Sequence, residues 1–282
     1  MPTLSGDFRV KLRSSWRDLD RKFSDLKIDR DLPGFYDHPN FLNEERKDPL
    51  FTEAYAEWVL LRERDSAYDN RVREVVPKLA EIIEGRIIRH DWQGACIAIT
   101  AIMTRILDRL GIWNVPMKGS ASAYSNGSSR HFTVIDDNEG AGFESGHMWI
   151  IAPPYDVIDL TLRHQRWRGD AFQRQISPRI LGENLANVKA RPQDVVAPEI
   201  RAQYRGVSDL HNALFPDQAR VLKKFPAKAF VSGSTDIRYV PAGVSLPDAP
   251  LESVNEQARA GVPAIKIWRD DVAPAFGLDP ES

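Results

Sequence analysis

An α+β fold is predicted for this chain, with helices first and a small, mainly antiparallel sheet after them. Three observations carry that reading. Residues 51–90 place apolar side chains at helical spacing, and residues 95–110 form an almost unbroken apolar run. After Gly111 the texture changes to short segments rich in β-branched and aromatic residues, separated by turn-forming clusters.

Taken in order, residues from about 7 to 28 and from about 51 to 90 read as helices, with nearby Ser or Asp residues as N-caps. The intervening "DRDLPGFYDHPNFLNEERKDPL" holds three prolines and a glycine and is expected to be loop. Within Ala95–Leu110 the polar residues are Thr100, Thr104, Arg105, Asp108 and Arg109, which fall on one narrow stripe. Such a helix is buried around most of its circumference, and Gly111 supplies its stop.

"NVPMKGSASAY", "HFTVID", "HMWIIA" and "DVIDLT" read as strands, joined through "SNGSS", "DDNEG" and "PP". They are expected to form the small sheet packed on the helix that begins at Cys96. Beyond residue 170, "QISPRILGENLANVKARPQDVVAPEIRAQYRGVSDLHNALF" suggests interrupted helices and "KAFVSGSTDIRYVPAGV" suggests strands. "LESVNEQARAGVPAIKIWRD" reads as a short helix followed by a strand. Three regions are expected to form one globule: 1–90, helical; 91–170, the core; and 171–282, a mixed helix-and-strand extension.

Of 282 residues, 42% are hydrophobic and 28% charged, a composition able to bury a core. A net charge of −2 gives no bulk attraction to nucleic acid or anionic membrane, so neither is expected as a partner. One cysteine cannot form an internal disulfide. The opening "MPTLSGDFRVKLRSSW" lacks the apolar core of a secretory signal, and no stretch approaches the roughly 20 apolar residues of a membrane span. A cytoplasmic location is the expectation.

That single thiol, Cys96, stands at the mouth of the apolar helix, behind "GA". A nucleophilic cysteine is favoured by the partial positive charge of a helix N-terminus and by an imidazole that takes its proton. Among the six histidines, His147 is best placed, opening "HMWIIAPPYDVIDLT". If these segments form a hairpin centred on Pro153, paired residue numbers add to 306 and His147 faces Asp159 on one face of the sheet. A carboxylate there fixes the imidazole tautomer and steadies the imidazolium. A slip of one residue would turn the acid to the other face.

The order Cys96, His147, Asp159, taken with "GAC", a helix closing in "LDRLGI", the strand "VPMKGSASAY" and "GHMWI…YDVIDLT", resembles the transglutaminase-like branch of the papain-like cysteine enzymes. The resemblance spans about residues 92–165. It implies a papain-like core, Cys96 as nucleophile, His147 as general base and acid, and Asp159 as the orienting group. It also implies acyl transfer through a thioacyl intermediate on an amide, ester or thioester, with a peptide or protein as substrate and no cofactor. Peptidase or amidase chemistry is preferred, and transfer to an amine is the alternative. An oxyanion hole is expected from the Cys96 N–H plus a side chain, with Gln93 and Trp92 as candidates and Trp149 as a cleft wall.

Plainer readings stand beside these. Cys96 is otherwise a buried structural thiol, His147 a satisfied core histidine, and the whole a binding module that keeps the fold. Trp149 and Trp167 more often pack a core than wall a cleft. His131 is a rival base, without a cross-strand acid. His131, Asp137, Glu139 and His147 match no metal-site spacing, so no metal is expected. His90 reads as an exposed helix-end residue, and "GAGFESG" as either a mobile loop or a long hairpin connection.

Overall fold

The computed structural model describes residues 7–125, 127–134, 146–167, 169–207, 210–254 and 262–281. Four helices precede the cysteine: α1 (Asp7–Asp25), α2 (Pro39–Lys47), α3 (Thr52–Leu61) and α4 (Ser66–Arg89). The helix expected over 51–90 is thus two. Asp65 starts the second by accepting the Tyr68 N–H at 2.7 Å, satisfying a first-turn donor that the helix itself cannot.

The segment expected to be loop contains α2. Its prolines begin structure rather than break it: Pro39 occupies the first helical turn, and Pro49 opens a short 3₁₀ turn. The His38 ring caps α2 by accepting the Asn40 N–H at 3.2 Å, and Phe41 anchors the helix in the core.

Helix α5 (Cys96–Arg109) packs Ile99, Ile102, Met103 and Ile106 in one core with Ile150 and Ile158 of the sheet and Leu160 just beyond it. Its polar stripe is mostly buried as well. Arg105 pairs with Asp37 and donates to the carbonyls of Ala249 and Pro247, each at 2.8 Å. The stripe therefore ties both ends of the chain to the central helix.

The sheet is larger than expected. Its eight strands are β1 (Val115–Ser125), β2 (Ser128–Phe132), β3 (His147–Ala152), β4 (Tyr155–Asp159), β5 (Ile180–Glu183), β6 (Ala186–Val188), β7 (Ala227–Ser232) and β8 (Thr235–Val244). All pairings are antiparallel, in the order β5-β4-β3-β1-β8-β7-β6, with β2 added to β1. Two expectations for the C-terminal region are corrected. Residues 180–188 are strands within the segment read as interrupted helices, and short helices follow only from Pro192. The strand expected after Val262 is helical over Ala264–Phe276, because Ala264, Ile267, Trp268 and Val272 recur at helical spacing and are all buried.

The sheet curls. Only Asn184 and Leu185 separate β5 at one edge from β6 at the other, so the edges approach within about 11 Å, the reach of three peptide units. Asp156 ties this seam. It accepts the Leu185 N–H at 2.8 Å and pairs with Lys228 of β7 at 2.9 Å.

One face of the sheet, with Met117, Trp149, Val157 and Tyr239, packs against aromatic side chains from residues 23 to 58. The other face packs against α4 and α5. Each of these cores draws on residues before 91 and beyond 170.

Candidate active site

Cys96 is the first residue of α5, where the amides of the opening turn have no carbonyl partner within the helix. The approach to it is fixed by backbone bonds: Trp92 N–H to Ile87 O at 3.0 Å, Gln93 N–H to Asp91 O at 2.9 Å, and Gly94 N–H to His164 O at 2.8 Å. The last of these joins the cysteine turn to the chain leaving β4. Cys96 is 8% exposed.

His147 begins β3 and is paired with Gly119 of β1. Two glycines allow that placement. Gly146 has φ +100°, and a side chain there would meet Gly119 O at 2.7 Å. A side chain on Gly119 would strike the Val240 carbonyl oxygen and come within 2.8 Å of the Trp149 ring, beside a bulge in the β1–β8 pairing.

The hairpin register differs from the expected one. Ile150 faces Ile158 and Ala152 faces Tyr155, so paired numbers add to 308 and then 307 across an irregularity. A shift of two at the Ile150 pair keeps the same face, because side chains alternate with period two. His147 Nε2 still meets Asp159 Oδ2, at 2.7 Å.

Asp159 receives five hydrogen bonds. Its Oδ1 accepts from Thr161 N–H at 2.8 Å, Thr161 O–H at 2.9 Å and Leu162 N–H at 3.1 Å. Its Oδ2 accepts from His147 Nε2–H and, at 2.8 Å, from the Tyr239 hydroxyl. Burial by itself would raise this carboxyl's pKa. The imidazole beside it and the hydrogen bonds from Thr161 and Tyr239 outweigh burial and hold it below the usual carboxylate range.

An ionised carboxylate only accepts, so Nε2 of His147 carries the hydrogen and donates. Burial would lower the imidazole's pKa. The charge of Asp159, its hydrogen bond and the nearby Cys96 sulfur outweigh that and push it up to about 10. The sulfur therefore lies within electrostatic reach of the ring, although no well-aligned hydrogen bond joins them: Nδ1 is buried without a partner.

Among the other expected residues, Gln93 is exposed and its amide donates to Asp91 at 3.0 Å. Trp92 is buried, stacked on His90 at 5.4 Å, and its Nε1–H has no acceptor. His90 is half-buried at the end of α4 rather than exposed. Trp149 is a core residue packed on Tyr239 with ring centres 5.1 Å apart, and Trp167 is buried too.

His131 is engaged elsewhere. Its Nδ1 meets Ser122 Oγ at 3.0 Å and its Nε2 meets Ser129 Oγ at 3.1 Å, while burial lowers its pKa. Asp137, Glu139 and most of "GAGFESG" lie outside the described residues. Among the described residues, no group of three or more His, Cys, Asp or Glu side chains is placed to hold a metal ion, and no helix is long and apolar enough to cross a membrane.

Sequence reasoning assigned no role to three residues near these groups in the chain or the fold. Thr161 was legible two residues after Asp159. Tyr239, eighty residues downstream, had no local signal. Gln165, 7% exposed, leaves its Nε2 donor buried without an acceptor, next to the residue whose carbonyl binds Gly94. Compared with known protein families, curated proteins and solved structures, the chain matches none.

Proposed function

We propose that the chain is a cysteine acyl-transfer enzyme with a papain-like, transglutaminase-like core, acting through Cys96, His147 and Asp159. The observation that carries this reading is the division of labour on the His147 ring. Nε2–H is held by a carboxylate saturated with donors, and Nδ1 is unpartnered within electrostatic reach of the only thiol. An unmatched buried polar atom costs about 1–3 kcal/mol, and Cys96 is the nearby group that would match this one.

In this reading Nδ1 already holds the proton given up by the thiol, since an imidazole raised to about 10 is charged near neutral pH, and the sulfur attacks the carbonyl carbon of an amide, ester or thioester. A C–S bond forms, and the tetrahedral oxyanion is met by the Cys96 N–H. Trp92 Nε1–H and Gln165 Nε2–H, both buried donors without acceptors, are the side-chain candidates for a second donor. The C–N, C–O or C–S bond to the leaving group then breaks, and the imidazolium returns its proton to that group. Water, deprotonated by His147, then adds to the thioester carbonyl, the C–S bond breaks, the acid leaves, and the sulfur is left beside the protonated ring as at the start. Hydrolysis of a peptide or amide is the preferred outcome because it needs no second acceptor pocket, and an amine in place of water gives a transferase.

A second reading, a non-catalytic binding module that retains this arrangement, draws on the low exposure of Cys96. Intact-mass analysis after incubation with peptide, protein and acyl-thioester pools separates the two. A thioacyl adduct on Cys96, absent from His147→Ala and retained by His131→Ala, supports the enzyme. No adduct from any pool, with Cys96 unreactive to small alkylating agents in the native state, supports the module.

A further inference from the structure

A cavity of about 440 Å³ opens near the seam of the curled sheet, and neither Cys96 nor His147 lines it. Its lining includes the buried aromatic residues Trp149, Tyr239 and Tyr155 and the half-buried Ile151. Charged groups of both signs complete the lining: Arg64, Asp69 and Arg73 from the α3–α4 turn and α4, and Asp156 and Lys228 from β4 and β7.

These charges are held in place. Arg64 pairs with Asp69 at 2.8 Å, Lys228 with Asp156 at 2.9 Å, and Arg73 with Glu183 at 2.9 Å. The side chains of the first two pairs are all less than 25% exposed or at that figure, so they are partly desolvated as well as paired. Small-molecule sites commonly combine an apolar, aromatic surface with a few fixed polar groups, in volumes of about 300–1,000 Å³.

The balance of charge decides what fits. A simple anion entering the cavity meets Asp69 and Asp156 as well as the cations, and a simple cation meets Arg64, Arg73 and Lys228. A molecule carrying one charge of each sign satisfies both kinds of group and leaves none repelled. The volume stands near the small end of the range for ligand sites, and the aromatic walls suit an apolar or aromatic body between the charges. We propose that this cavity binds a zwitterion of dipeptide size through its free carboxylate, its free ammonium and an apolar side chain. The proposal does not rest on the cysteine chemistry, although Tyr239 belongs to both places, lining the cavity and giving its hydroxyl to Asp159.

The test uses the full chain carrying Cys96→Ala, which blocks turnover. Titration calorimetry, with Trp fluorescence alongside, compares the dipeptide Ala-Phe with its N-acetyl form, its C-terminal amide and phenylacetate. The expected result is saturable binding of Ala-Phe, weakened at least tenfold by blocking either end, with phenylacetate weaker still. Ile151→Trp fills the cavity and abolishes binding. Where that variant loses its near-ultraviolet dichroism, Arg64→Met replaces it and lowers affinity for Ala-Phe at least tenfold. Equal affinity for the blocked forms or for phenylacetate overturns the proposal. So does full affinity in the folded cavity variant, or no binding at 10 mM.

Discussion

His147 donates its Nε2–H to Asp159 at 2.7 Å, while the Nδ1 of the same buried ring has no hydrogen-bond partner. The ring is therefore oriented from one side and left open on the other. The Cys96 sulfur lies within electrostatic reach of that ring.

Alkylation of Cys96 by iodoacetamide follows from this arrangement. At pH 6 an ordinary thiol is ionised to only about 0.3%, so alkylation is slow. In the native chain the rate is expected to exceed that of a free thiol by about tenfold or more, after allowance for the lower nucleophilicity of a stabilised thiolate. His147→Ala brings the rate down to the free-thiol value or below, whereas His131→Ala leaves it unchanged. The opposite ranking of the two variants would reassign the base.

Tyr239→Phe tests the support behind the carboxylate. It removes one of the five hydrogen bonds to Asp159 and is expected to cost about 1.5–3 kcal/mol of stability, the range for bonds to charged groups. The carboxylate loses a donor that favours its ionised form, so the acid limb of Cys96 reactivity moves to higher pH. A stability loss with an unmoved acid limb would mean that Tyr239 only packs.

Three groups make stability depend on pH, and two of them, His147 and Asp159, do so as one coupled pair. His147, raised to about 10 from 6.5, contributes stability that is complete below pH 6.5 and lost as pH rises through about 10. Asp159, held low, contributes stability present above its ordinary range and lost as pH falls through its depressed value. Asp108 acts in the same direction as His147 and against Asp159. Part of the residue reaches solvent, but its carboxyl is enclosed by Tyr36 at 2.5 Å and Asn114 at 2.9 Å. Burial, opposed by those bonds and by Arg105, raises it from 3.8 to about 7. The native state then binds the extra proton between those values, and stability falls across them as pH rises. Asp108→Asn is expected to remove that fall, up to about 4 kcal/mol, in urea unfolding measured from pH 4 to pH 8.

Gln165→Leu separates a functional donor from a structural one. The Nε2 group is buried without an acceptor, so its removal is expected to be neutral or to stabilise the fold by about 1 kcal/mol. If that donor serves an oxyanion, thioacyl formation slows by about a hundredfold to a thousandfold. A variant that is less stable and equally fast would place Gln165 in the scaffold.

Local pattern was enough to read α5, because an apolar run followed by Gly111 has few other interpretations. It was enough for β3 and β4 too, where alternation and the prolines between them defined a hairpin. The register was two residues off at Ile150, since the irregularity near Ala152 has no local signal. His147 and Asp159 still share a face because an even shift preserves it. What stayed hidden depends on distant chain. Tyr239 reaches Asp159 only because β8 pairs with β1, and β5 and β6 are recognisable as strands only once β4 and β7 offer partners. The prolines at 39 and 49 misled for another reason: they favour the first turn of a helix as readily as a loop.

The pairing of β1 with β8 has a consequence for biosynthesis. Residues near 120 must wait for partners near 240 before the middle of the sheet can close, and contacts so distant in sequence make for slow folding. On a ribosome, Asp159 would emerge long before the hydroxyl that supports it. A nascent chain halted short of Tyr239 is expected to carry the thiol, the imidazole and the carboxylate without an assembled site, so reactivity at Cys96 would report completion of the fold.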